Sequence, residues 1–153
     1  MNAVEKNSFG WPNRKRYEMG DRALALERLD RLQERIETLA GQQRCPDAAE
    51  LSVLVDKGLQ IARELLMAVL EEEHRPYDLS ADLLELWKSL VRGAPHWNTI
   101  RDNCRELVYY RNCLDMKQMD ALPHGPEKML VHTLRHLYLY LRSHMEQSLE
   151  EKS

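Results

Sequence analysis

The sequence predicts an all-α protein: an up-and-down bundle of four long helices plus one short helix, preceded by an irregular N-terminal arm. Three observations lead there. Apolar residues recur at helical spacing along most of the chain. Leucine is abundant while aromatic residues make up only 7%, with a single Phe, and that mix suits helix packing better than a β-sandwich. The breaks are few and short: Gly41, Pro76, "RGAP" at 92–95 and "LPHGP" at 122–126.

A chain of 153 residues is natural for one domain and long enough to bury a sizeable core. Residues 1–19 are polar and interrupted by Pro and Gly, so they read as the arm, with Trp11 as an anchor. The bundle domain is placed over 20–150. Hydrophobic residues at 43% and charged residues at 31% exclude global disorder.

In "DRALALERLDRLQERIETLAG" the residues Ala25, Leu29, Leu32, Ile36 and Leu39 form a 4-3-4-3 seam, and Gly41 is a stop. The seam lasts about two heptads, which suits packing within a bundle better than a dimerising coiled coil. The second helix opens on Asp47 and Glu50, in capping-box spacing. Leu51, Leu54, Val55, Leu59, Ile61, Ala62, Leu65, Leu66 and Val69 cover more than one stripe, so this helix is expected at the centre. Gly58 permits a close backbone approach, and Pro76 ends the element.

Ser80 is the expected cap of a short third helix carrying Leu83, Leu84, Trp87, Leu90 and Val91. A fourth helix is expected from near Asn98 to about Ala121. Pro126 suits the first turn of the last helix, which reaches about Leu149.

The fourth helix holds the sequence's main oddity, "ELVYYRNCLDM" at 106–116. At about 100° per residue, Ile100, Cys104, Leu107 and Leu114 share an arc with Arg111 near its middle. Tyr110 flanks that arc, while Tyr109, Cys113 and Met116 point away. A guanidinium facing inward must pair with an acid, snorkel or face a ligand, because an unpaired buried charge costs several kcal/mol. Asp56 and Glu64 of the second helix are the acids expected to meet it. Tyr110, Arg111 and Asn112 are the ligand-binding candidates if it faces a cleft instead. "RNCLDM" also resembles the RNxxxH element of HEPN-type helical bundles, which include ribonucleases and nucleotide-binding partners. That resemblance implies an arginine and a histidine acting together on RNA phosphodiesters. Arg111 and Asn112 match; Met116 stands where the histidine belongs, and a thioether cannot transfer a proton. The resemblance therefore implies a catalytically dead relative.

The last helix carries a second feature. Leu130, Leu134, Leu137, Tyr138, Leu141 and Met145 form its expected core face. Met129, His132, His136, Leu139 and Tyr140 lie on other sides, and such a mixed aromatic surface is the candidate interface. The alternative is a last helix buried on two sides within its own bundle. His132 and His136, one turn apart, have the HxxxH spacing of a metal clamp but need further ligands. Glu71-x-x-His74 has a carboxylate-bridged metal spacing without a second copy, at a helix end where charged groups are expected in solvent. "HTLR" at 132–135 resembles the phosphoacceptor stretch of histidine phosphotransfer bundles, although bulky His136 departs from their small residue.

No nucleophile constellation and no Gly-rich phosphate loop is present. No catalytic residue, metal or cofactor is expected. The net charge of -3 gives no global case for nucleic acid. Cys45, Cys104 and Cys113 form neither a disulfide framework nor a zinc-finger pattern; Cys104 is expected in the core and Cys113 nearer solvent. The absence of an apolar leader or an apolar run of about 18 residues points to a cytoplasmic protein without a membrane span. The expected function is non-enzymatic: an adaptor, regulator or small subunit that binds a protein partner or forms a homo-oligomer through its last helix. The alternative is an RNA- or nucleotide-binding bundle centred on Arg111, and the third reading is a metal-binding bundle enzyme.

Overall fold

The computed structural model describes residues 14–42 and 46–152, with side chains over 22–42 and 46–147. Its elements are α1 (Arg14–Ala40), α2 (Ala48–Glu72), α3 (Leu83–Val91), α4 (Arg101–Asp115) and α5 (Pro126–Lys152). Short 3-10 turns lie at Pro95–Ile100 and Met119–Ala121, and no strand occurs among the described residues. The all-α bundle is as the apolar periodicity predicts.

The α1 seam is buried throughout: Ala25, Leu29, Leu32, Ile36 and Leu39 all face the core. The helix starts at Arg14, earlier than the boundary expected near residue 20. Gly20 costs a helix about 1 kcal/mol relative to Ala, which a long helix absorbs. Trp11, the expected anchor, lies outside the described residues.

Ion pairs fix the helix directions. Arg22 meets Glu72 at 2.5 Å and Arg35 meets Glu64 at 3.0 Å, so α1 and α2 are antiparallel. Arg135 meets Glu37 at 2.6 Å and Arg142 meets Asp30 at 2.7 Å, so α5 is also antiparallel to α1. It follows that α2 and α5 run parallel. Arg111 near the end of α4 meets Asp56 near the start of α2, which sets α4 antiparallel to both. The bundle is up-and-down in order, with α2 and α5 as a central pair between α1 and α4.

Gly58 brings that central pair together. A Cβ there would lie 2.8 Å from Leu130 Cδ1 and 3.3 Å from both Leu130 Cγ and Leu134 Cδ1. Helix α2 touches α1, α3, α4 and α5, the central position its wide apolar surface predicts. Its capping box forms as expected, with Glu50 N–H donating to Asp47 and Asp47 N–H to Glu50. It ends before Pro76, where His74 adopts φ 57° and Arg75 N–H reaches back to the Leu70 carbonyl at 2.9 Å.

Helix α3 is capped by Asp82, not by Ser80. Asp82 and Glu85 form a second capping box, whereas Ser80 donates through N–H and Oγ to Asp78 in a turn ahead of it. Arg75 closes the other end of α3, donating to the carbonyls of Ser89 (2.7 Å), Leu90 (2.6 Å) and Arg92. Helix α4 is shorter than expected at both ends. Pro95–Ile100 is a 3-10 turn that buries Trp97, and Lys117 at φ 57° stops the helix after Asp115. No helix among the described residues is long and apolar enough to cross a membrane.

Candidate functional site

Arg111 sits at the edge of the core, with its side chain 21% exposed. All three guanidinium nitrogens donate within the chain. Nη1 reaches Asp56 Oδ1 at 2.6 Å and the Ser52 carbonyl at 3.2 Å, and Nη2 reaches Ser52 Oγ at 3.0 Å. Nε donates to Asp115 at 3.0 Å, one turn along α4. Burial works against the charge, but the hydrogen bonds and charges of Asp56 and Asp115 overcome it and hold Arg111 above its ordinary range. Asp56 is one of the two acids the sequence nominated; Glu64 pairs with Arg35.

The three residues nominated around Arg111 diverge. Tyr110, expected at the flank, is buried, and its phenol donates to Glu106 and faces Thr133 of α5. Burial first, and Glu106 second, hold that phenol in its neutral form. Asn112 is exposed and lines a shallow cleft of about 450 Å³ with Tyr109, Arg105 and Glu106, which Arg111 does not line. Met116 points away into solvent at 63% exposure. Cys113 corrects an expectation: it is buried, because the inward arc of α4 turns toward Tyr110 and Cys113 in its last turns. Cys104 is buried as expected, and burial pushes its thiol up to about 12, so it stays protonated and unreactive.

The five candidate interface residues of α5 also divide. Met129 and Tyr140 pack against the core. The Tyr140 ring meets Trp97 edge-on at 5.8 Å, and its hydroxyl donates to the His96 carbonyl at 3.3 Å. Nothing in the periodicity of α5 announces this aromatic knot, because Trp97 comes from the turn before α4. His132, His136 and Leu139 face outward, Leu139 at 56% exposure.

Two of these five residues border a concavity. Met129 and His132 line an open cleft of about 640 Å³ where the end of α1, the first half of α2 and the start of α5 meet. Leu39, Leu54, Leu130 and Val131 give it apolar walls, and Glu127, Lys128 and Arg135 give it a charged rim. The periodicity puts Leu39 and Leu54 on core stripes and both are buried; that they also back a cleft depends on where the helices end.

Among the described residues, no group of three or more His, Cys, Asp or Glu side chains converges on a metal position. Glu71, expected in solvent, accepts hydrogen bonds from Arg28 (2.8 Å) and the Tyr77 hydroxyl, so it ties α1 to the loop after α2. No protein family, curated protein or solved structure matches this chain.

Proposed function

We propose that this protein is a non-enzymatic interaction module, an adaptor or small subunit, that takes an apolar anchor of a protein partner into the cleft between α1, α2 and α5. The cleft itself carries the reading. Its volume is that of a site for one or two large side chains, and its apolar floor inside a charged rim is the usual anatomy of a protein interface. It also adjoins the α5 surface whose residues exceed what one buried stripe needs. A second copy of the chain is one form the partner could take.

A nucleotide- or RNA-binding reading centred on Arg111 requires donors free to meet phosphate. Those donors are taken by Asp56, Asp115 and Ser52. A metal-dependent enzyme has no support from a converging ligand set among the described residues.

The test is site-specific photo-crosslinking in the native cell, with the crosslinker at Lys128 on the cleft rim and, as control, at Lys88 on α3. The proposal expects a defined protein adduct, or a crosslinked dimer, from position 128 only. Identical adducts from both positions, or none from 128, would overturn it.

A further inference from the structure

We propose that His132 and His136 form a two-histidine binding site for a divalent transition-metal ion, of the zinc, nickel and copper class, on the outer face of α5. The residues are one helical turn apart, so both imidazoles rise from the same face. Their ring centroids lie 4.2 Å apart with the planes inclined at 49°. Both side chains are exposed, so an ion reaches them without any opening of the fold.

Metal–imidazole bonds are roughly 2.0–2.1 Å long, so two nitrogens sharing one ion sit roughly 3–3.5 Å apart. Rings at the observed separation reach that spacing by side-chain rotation alone. The surrounding charge is manageable. Arg135, between the two histidines in sequence, is bound by Glu37 of α1 through two contacts of 2.9 and 2.6 Å. That carboxylate offsets the Arg135 charge, and Lys128, one turn before His132, is accompanied in sequence by Glu127.

The chain supplies two ligands and leaves the remaining positions open to water or to donors from another molecule. A closed structural zinc site has four protein ligands and holds its fold together. This pair does neither, so an ion here serves contact rather than folding. His132 also lines the cleft, which places the ion at its rim. The site depends on the histidine pair alone, so it stands or falls independently of the cleft.

The experiment is isothermal titration of the full chain, without a polyhistidine tag, with zinc chloride and nickel chloride. The proposal expects saturable binding of no more than one ion per chain at this site. His132→Ala or His136→Ala should each weaken it by roughly tenfold or more, as when a two-point attachment becomes one-point. His96→Ala is the control, because His96 and His144 form a second close histidine pair, with ring centroids 4.6 Å apart. Circular dichroism should be unchanged in all three variants. Absence of saturable binding, binding that survives both α5 substitutions, or binding lost with His96→Ala instead would each overturn the site.

Discussion

Arg111 and the outer face of α5 are the two places where the sequence departs from a plain amphipathic helix, and the fold treats them in opposite ways. The arginine looks functional in sequence because it occupies an apolar position. In the structure every nitrogen of its guanidinium is engaged by α2 or by its own helix. The face of α5 stands out in sequence by its surplus of aromatic and apolar residues, and of these His132, His136 and Leu139 stay outside the core. A misplaced charge is thus a poor guide to function when a neighbouring helix supplies its partners. The outward residues of α5, which do no such work inside the chain, adjoin the cleft where a partner is proposed.

The largest effect is expected beside Arg111. Tyr110→Ala should cost about 3–5 kcal/mol, the usual penalty for emptying a buried aromatic site, read from denaturant unfolding. The same replacement at exposed Tyr109 should leave the unfolding midpoint nearly in place. Alkaline titration sharpens this. The buried Tyr110 phenol titrates above its unfolded value of about 10, so its contribution is complete below that pH and is lost as pH rises beyond it. Stability of the wild type should therefore fall above about pH 10 more steeply than that of Tyr110→Phe.

Next in size is Gly58→Ala, which forces a Cβ against Leu130 between the central helices. Overpacking of this kind costs about 1–3 kcal/mol, and the thermal midpoint should fall accordingly. Arg111→Ala should cost about 1 kcal/mol, because Asp56 and Asp115 are well exposed and hydrate once the pair is gone. Arg111→Met, which keeps the apolar stem, should cost less still. A loss above about 3 kcal/mol for Arg111→Met would show that Arg111 pairs as a buried ion and not as an edge clamp. Smallest of all, Leu139→Ala should move stability by under about 0.5 kcal/mol, since that side chain leaves little packing behind.

Most of the fold was legible in the sequence. The α1 seam, the Asp47–Glu50 box, the central role of α2 and Pro126 at the head of α5 all follow from local pattern, and all of them form. Ends were less legible. Asp82 displaced Ser80 because a capping box with Glu85 satisfies two backbone N–H groups where Ser80 alone satisfies one. Lys117 ends α4 by a left-handed turn that no glycine announces. The candidate site was legible only in part, because it depends on neighbours. Periodicity placed Arg111 inward but could not show Ser52 waiting on α2, nor that Met129 and Tyr140 would be taken up by the core. The cleft arises where three helices end or begin, and a single helix carries no sign of it.

One measurement decides between the two regions: crosslinking from Lys128 repeated in Ala40→Arg and in Arg111→Met. Ala40 is exposed at the end of α1 and lines the cleft, so an arginine there fills the opening at no cost to the core and with a favourable helix-end charge. If the cleft and not the arginine takes the partner, Ala40→Arg abolishes the adduct and Arg111→Met leaves it intact. An adduct that survives Ala40→Arg and disappears with Arg111→Met would contradict this.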